Sequence, residues 1–241
     1  MRRQSIGLLA VLVTGVTVGI GPAPTHAAEG DSVTGTVQFS GTPPARPPVN
    51  FGAEQQCALM HADKTPLMED IVVNDNGTLR DVLVYVTGEV PGTHTAPSEP
   101  LVFEQKGCVF LPHVGAMMVG QPVEIRNDDA VLHNVRAQSK LGQSFNVAQP
   151  VKGMKTTKQM KTQEIGIPLK CDVHFWMTGY LHVLAHPFFA VTGEDGSFTI
   201  PGLPAGTYTL EAWHGVLGTQ TAEITVGAGS SQSLSLTFGG S

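Results

Sequence analysis

The residues between Cys171 and Met177 combine three kinds of side chain that can bind a soft metal ion. This segment reads CDVHFWM and offers a thiolate from Cys171, an imidazole from His174 and a thioether from Met177. A second imidazole, that of His133, lies upstream in NDDAVLHNV, just after a predicted strand. Two imidazoles, one thiolate and a weak axial thioether are the ligand set of a mononuclear copper site.

The donor types and their spacing favour copper over other metals. Thioether is a poor zinc ligand, and structural zinc sites are closed by four strong Cys or His donors. A binuclear copper-thiolate centre would need a second Cys in the loop, and the loop contains only Cys171. We therefore predict one copper ion per chain. His113, in GCVFLPHVGAMMVG, is a competing ligand of lower rank, because it precedes the predicted strand PVEIRN.

The loop CDVHFWM, followed by GYLHV and preceded upstream by LHNV, resembles the amicyanin type of ligand loop in the cupredoxin family. The resemblance covers roughly residues 100 to 186. It implies a cupredoxin β-sandwich, copper bound by His133, Cys171, His174 and Met177, and a role in electron transfer between redox partner proteins. Conversely, we find no catalytic constellation in the sequence, and we predict that the protein is not an enzyme.

Several neighbouring residues are predicted to support this site. Asn134 could hold the ligand loop by hydrogen bonds. Loop ligands of this kind lie at the end of the sandwich, so we expect His174 to face a partner. Phe175, Trp176 and Tyr180 would then exclude water and form an apolar docking rim.

The N-terminal residues and the charge balance restrict location and partners. Residues 1–27 have the charged start, apolar run and small-residue end of a secretory signal peptide. Its removal leaves 12 basic against 20 acidic residues, a net charge of −8, so nucleic acid is an improbable partner. We predict a periplasmic or secreted protein without a membrane span. A local basic run could be a solvated face or a docking patch for an acidic redox partner; it contains Lys152, Lys155, Lys158 and Lys161.

The three cysteines also bear on the site. An odd number of Cys in an exported chain usually indicates a free thiol or an intermolecular bridge. If Cys171 is a metal thiolate, Cys57 and Cys108 remain as a pair that can oxidise outside the cytoplasm. We therefore predict a disulfide between Cys57 and Cys108.

The chain after the signal peptide is predicted to be all β. Short runs rich in Val, Ile, Thr and Phe alternate with Gly and Pro. Residues 99–186 are assigned to the cupredoxin sandwich. Residues 187–241 contain GEDGSFTIPGLPAGTYTLEAWH, which resembles the carboxypeptidase regulatory-like domains and implies a transthyretin-like β-sandwich.

This C-terminal sandwich needs strands from elsewhere in the chain. The chain from residue 187 onward offers about five strands, fewer than the roughly seven of such a sandwich. VTGTVQF at 33–39 and DVLVYV at 81–86 are two strands without an obvious place. We predict that they complete the C-terminal sandwich, that residues 28–98 with their Pro-rich linker belong to it, and that the copper domain is an insertion.

Two other functions remain open at this point. A periplasmic copper carrier or buffer is favoured by the extra donors His113, Met117 and Met118. An extracellular β-sandwich binding module is supported only by the regulatory-like tail.

Overall fold

The computed structural model describes residues 31–227 and 232–239, and almost all of their regular structure is β-strand. The all-β prediction is confirmed, whereas the predicted signal peptide lies outside the described residues. In chain order the elements are β1 (Asp31–Ser40), α1 (Gln55–Met60), β2 (Leu83–Val86), β3 (Leu101–Gln105), β4 (Phe110–Leu111), β5 (Val114–Met118), β6 (Pro122–Asn127), β7 (His133–Ala137), β8 (Phe145–Gln149), β9 (Lys155–Gln159), β10 (Glu164–Lys170), β11 (Thr178–Leu184), β12 (Phe189–Val191), β13 (Ser197–Leu203), β14 (Gly206–His214), β15 (Gly218–Val226) and β16 (Gln232–Gly239).

The strands from β3 to β11 form the first sandwich. One sheet has the order β5-β11-β10-β7-β8 and the other has the order β4-β3-β6-β9. The strands follow from alternation in the sequence: in PVEIRN of β6, Val123, Ile125 and Asn127 are buried while the residues between them are partly exposed. Apolar side chains from both sheets share one core, in which Phe103, Ile125 and Leu181 are fully buried.

The second sandwich is assembled from both ends of the described chain. Its sheets have the orders β13-β1-β16 and β12-β2-β14-β15. Strand β1 pairs antiparallel with β13 and parallel with β16, and β2 pairs antiparallel with β12 and β14. The pairing predicted for residues 33–39 and 81–86 is therefore confirmed. All strands of the first sandwich lie between β2 and β12 in the chain.

The segment between β1 and β2 is divided between the two cores. Val49, Phe51 and Cys57 pack in the core of the first sandwich, whereas Leu79 and Val82 pack in the core of the second. The assignment of residues 28–98 as a whole to the second sandwich therefore needs correction around Cys57. The reason is physical: the disulfide and the aromatic ring of Phe51 draw this part of the chain onto the first sandwich.

The two sandwiches meet around the indole ring of Trp213. Tyr180 and His182 of β11 contact this ring edge to face, with ring centroids 4.9 and 4.7 Å away. A Cβ atom at Gly166 would lie 2.8 Å from the indole, so the close approach of β10 depends on glycine. The imidazole of His182 is fully buried and accepts a hydrogen bond from the backbone N–H of Gly166. Within the described residues, no helix has the length and apolar character needed to cross a membrane.

Candidate metal centre

The predicted donors lie at the ends of adjacent strands of the first sandwich. His133 is the first residue of β7. Cys171 directly follows β10, Met177 directly precedes β11, and His174 lies between them in the connecting loop. Since β10 pairs with both β7 and β11, these strand ends lie together at one end of the sheet.

Two backbone hydrogen bonds give the loop its tight shape. The N–H of Cys171 donates to the carbonyl of Met177 over 3.1 Å, and the N–H of Met177 donates to the carbonyl of His174 over 2.9 Å. The spacing of two residues between successive donors therefore suits a compact loop that closes on itself. In this arrangement the side chains of Cys171, His174 and Met177 are all buried.

Three of the four predicted donors converge on one point. His133 Nδ1 lies 2.9 Å from His174 Nδ1, and Cys171 Sγ lies 3.7 Å from His174 Nδ1. The donor atoms of these residues all lie within 4.8 Å of one another. The exposed fractions of His133, Cys171, His174 and Met177 are 0, 3, 1 and 1%. The cluster is therefore shielded from bulk water.

These distances can be compared with the geometry of a metal ion. Bond lengths of about 2.0 Å to nitrogen and 2.3 Å to sulfur place the nitrogen and sulfur ligands of a trigonal ion about 3.7 Å apart. The distance from Cys171 Sγ to His174 Nδ1 has this value. The distance between the two imidazole nitrogens is shorter than the roughly 3.5 Å that the same geometry gives. Binding an ion would thus replace the hydrogen bond between the rings and move them slightly apart.

The carboxylate of Asp129 orients His133. Asp129 Oδ2 accepts a hydrogen bond from His133 Nε2 over 3.0 Å. The same carboxylate accepts hydrogen bonds from the backbone N–H groups of Gly107 and Cys108, each over 2.8 Å. Burial favours the protonated acid, but these hydrogen bonds outweigh it and lower the pKa of Asp129. A charged Asp129 keeps the proton of His133 on Nε2 and leaves Nδ1 directed at the cluster.

The thiol of Cys171 is poised to be a thiolate. Burial favours the neutral thiol, but hydrogen bonds from His133 and His174 lower the pKa of Cys171 to about 5. Burial likewise lowers the pKa of His133, but hydrogen bonds to Asp129 and Cys171 raise it above the ordinary value. Without a metal, the two groups thus favour an imidazolium and thiolate pair. Thiolate is the form of cysteine that binds metal ions.

Asn134, predicted to support the loop, connects β7 to it. Its Oδ1 atom accepts a hydrogen bond from the N–H of Asp172 over 2.7 Å and lies 3.4 Å from Cys171 Sγ. Its Nδ2 group donates to the carboxylate of Asp172 and to Asn146 Oδ1. Asp172 also forms an ion pair with Arg136 at 2.9 Å. This network fixes the position of the Cys171 backbone relative to His133.

The predicted docking rim is not present as expected. Trp176 is buried, and its Nε1–H donates to the carbonyl of Cys108 over 2.9 Å. Tyr180 packs on Trp213 at the contact between the sandwiches. Phe175 alone of the three rings is largely exposed, at 75%.

His174, expected at an edge that faces a partner, is instead buried, and docking of a partner stays a prediction. The predicted disulfide between Cys57 and Cys108 is confirmed, and it lies against His174. Cys57 Sγ is 3.6 Å from His174 Nε2, and the carboxylate of Glu54 is 3.9 Å from the same nitrogen. The segment around α1 therefore covers the imidazole edge that was expected to meet a partner.

His113, the competing ligand, lies apart from the cluster. Among the described residues, the groups of converging donors include His133, Cys171 and His174 but not His113. His113 Nδ1 instead lies 3.9 Å from a carboxylate oxygen of Glu69. Met117 and Met118 are buried in β5, and Met117 belongs to the core of the first sandwich.

The basic run follows the edge of a sheet. Strand β9 is the last strand of its sheet, and it contains Lys155 and Lys158. Lys155 Nζ lies 3.8 Å from Glu124 on the neighbouring strand. Charged side chains on an edge strand oppose pairing with other chains. The position of Lys155 and Lys158 on an edge strand thus explains their charge in structural terms, and a docking role for the basic run stays a prediction.

Two features of the site escaped the sequence-based interpretation. Asp129 precedes His133 by four residues, and an acidic residue so close to a candidate ligand was a usable signal. The contact between Cys57 and His174 joins residues 117 positions apart, and no local pattern indicates it.

Solved structures similar to part of this chain include three copper proteins or cupredoxins. A copper-containing nitrite reductase from Thermus scotoductus SA-01 is 20% identical with a TM-score of 0.34, over 40% of this chain and 25% of that chain. A purple cupredoxin from Nitrosopumilus maritimus is 20% identical with a TM-score of 0.30, over 34% and 98% of the two chains. Amicyanin from Paracoccus versutus is 16% identical with a TM-score of 0.32, over 42% and 96%.

A comparison with curated proteins gives no match. The tail of the chain is assigned by a family model instead. Residues 184–239, which contain β12 to β16, match the carboxypeptidase regulatory-like domain, as their resemblance predicted.

Proposed function

We propose that this chain is an exported copper protein that binds one ion through His133, Cys171, His174 and Met177 and carries single electrons between redox proteins. The observation that carries the proposal is the convergence of two imidazole Nδ1 atoms and one low-pKa thiol in a buried cluster. When bound, copper would supply a one-electron redox couple. The confirmed disulfide supports an exported location, periplasmic or secreted.

Each residue has a definite task in this proposal. Cys171 provides the thiolate, and Asn134 holds its backbone through Asp172. Asp129 fixes the tautomer of His133 so that Nδ1 is free to bind. Met177, at the end of the loop, would add a weak thioether donor to the ligand set.

The surroundings of the site suit repeated gain and loss of an electron. The donors are held by strand ends, by the closed loop and by a disulfide-bonded segment, so their positions change little. Burial keeps water away from the donors. A rigid, dry ligand set limits the rearrangement that accompanies each electron.

A copper carrier is the second candidate, and the site favours it less. A carrier must hand its metal to an acceptor, which has to reach the donors. Here the four donors are at most 3% exposed, and His174 is covered by Cys57. No enzymatic reaction is proposed for the chain.

Copper loading of the mature protein tests the proposal. We expect one copper per chain and an intense thiolate-to-copper absorption band. Cys171→Ser should abolish the band and leave the far-ultraviolet circular dichroism of the fold intact. His113→Ala is the matched control and should keep the band. An unchanged band in Cys171→Ser would overturn the assignment.

A further inference from the structure

Residues 49–61 form a cover over the metal centre. The cover segment contains α1, in which Cys57 is fully buried while the other helix residues are exposed; Leu59, for example, is 68% exposed. Cys57 Sγ contacts His174 Nε2 at 3.6 Å on the side opposite the donor atom Nδ1. The helix thus touches the site through the one residue that is also disulfide-bonded.

Besides the disulfide, the cover segment is held by the side chains of Val49 and Phe51, which are buried in the core of the first sandwich. Phe51 meets the ring of Trp176 edge to face at 5.3 Å and stacks on His61 at 5.5 Å. His61 Nε2–H donates to the carbonyl of Gly107 over 2.7 Å. A short helix with exposed side chains has little local stability of its own. The covalent bond to Cys108 is therefore the restraint that anchors α1 itself, since Cys57 is the buried residue of this helix.

The donors themselves lie on paired strands or in the loop that joins two of them. His133 belongs to β7, which is paired on both sides, and the loop from Cys171 to Met177 joins two strands that pair with each other. Opening the site at these strands would break the backbone hydrogen bonds between them. The cover segment lies outside these strand pairings, so it can move without breaking a sheet.

We propose that the cover segment closes the metal site after the ion has entered, and that the Cys57–Cys108 disulfide then locks it. The inference rests on the proposed copper site. Closure forms one S–S bond as two thiols lose two protons and two electrons. The electrons pass to a disulfide oxidant, which is reduced to a dithiol. The locked form retains its metal, and this agrees with an electron carrier better than with a metal donor.

If the metal binds before the cysteines are oxidised, it also favours the Cys57–Cys108 pairing over bridges to Cys171. Cys57 Sγ and Cys171 Sγ lie 3.6 and 3.7 Å from the two nitrogen atoms of one imidazole, that of His174. Three free thiols close together can form the wrong bridge. A metal ion on Cys171 removes that thiol from exchange and leaves Cys57 to react with Cys108.

Cobalt(II) exchange tests the lock, because cobalt(II) reports on the thiolate through an absorption band and is not reduced by thiol reductants. Oxidised wild-type protein is compared with Cys57→Ser/Cys108→Ser and with wild type reduced by a phosphine. We expect cobalt loading, and cobalt release to a chelator, to be at least ~10-fold faster without the disulfide. In the chain-entropy model, a crosslink that closes a loop of this size shifts the unfolding equilibrium by up to ~1,000-fold. The reduced wild type decides the question if the double variant does not fold.

Val84→Ala is the matched control, because Val84 is buried in the core of the second sandwich, whereas the cover segment packs on the core of the first. It lowers stability without freeing the cover segment and should exchange cobalt like wild type. Equal exchange rates with and without the disulfide would overturn the lock while leaving the metal site intact. Absence of cobalt and copper binding in every form would instead overturn the proposed function.

Refolding of the reduced chain gives a second test. Oxidation in the presence of bound cobalt should yield only the Cys57–Cys108 bridge in non-reducing peptide maps. Oxidation without metal should yield additional bridges to Cys171. The same single bridge under both conditions would contradict the proposed order.

Discussion

Asp129→Asn removes the charge that orients His133 and leaves the shape of the side chain almost unchanged. The carboxylate is 4% exposed and accepts three hydrogen bonds, from His133 Nε2 and from the backbone N–H groups of Gly107 and Cys108. An amide has one acceptor oxygen. Oδ2 accepts two of the three hydrogen bonds, so the amide oxygen is expected to keep that position, and its NH2 group then faces the N–H of Gly107.

The variant should change two quantities, the free energy of unfolding of the metal-free protein and the affinity for copper. An unsatisfied buried N–H costs about 1–3 kcal/mol, so the metal-free variant should lose about that much free energy of unfolding. Loss of a carboxylate that supports a histidine ligand costs about 10–100-fold in metal affinity. This corresponds to about 1.4–2.7 kcal/mol of binding free energy.

Copper affinity should be measured by competition with a chelator, and stability by urea unfolding of the metal-free protein. Asp128→Asn is the matched control, because it removes a neighbouring carboxylate that lies outside the groups of converging donors. We expect the control to bind copper like wild type. An unchanged affinity in Asp129→Asn would show that the carboxylate does not support a metal ligand.

Three further variants or conditions give independent predictions. Met177→Leu should keep coloured copper and raise the reduction potential, since losing a weak donor disfavours the cupric ion more; complete loss of copper would make Met177 a primary ligand. Burial lowers the pKa of His182 to about 3 and that of His214 to about 4. Unfolded histidine titrates near pH 6.5, so the free energy of unfolding should be highest above that pH. For each of the two histidines it should fall by about 1.4 kcal/mol per pH unit as the pH drops toward 4. Equal urea midpoints at pH 7 and pH 5 would refute this. Gly166→Ala should cost about 1–3 kcal/mol more than Gly153→Ala in urea unfolding, because both have positive φ but only the first adds a methyl group against the indole ring; equal costs would argue against the close contact between the sandwiches.

The donor cluster was predictable because its information is local. Cys171, His174 and Met177 have a regular spacing within one loop, and antiparallel pairing of β10 with β11 brings the ends of that loop together. His133 lies outside this loop, and its proximity to the other donors depends on the pairing of β7 with β10. The insertion was predictable from unpaired strand patterns at 33–39 and 81–86, which have no other sheet to join.

The cover of the site was not predictable by the same reasoning. Elimination among three cysteines gave the Cys57–Cys108 bond, but not its place beside His174. That place depends on how the segment around Phe51 packs over Trp176, and this packing is a tertiary contact without a sequence period. The prediction of an exposed His174 failed because it considered the ligand loop without the rest of the chain.

A spectroelectrochemical titration of the copper-loaded wild-type protein tests the central claim most directly. The claim predicts that the thiolate-to-copper band disappears on uptake of one electron per chain and returns fully on oxidation. It also predicts that metal analysis finds one copper per chain in both states. Loss of copper on reduction, or an absorption band that does not respond to one-electron reduction, would contradict it.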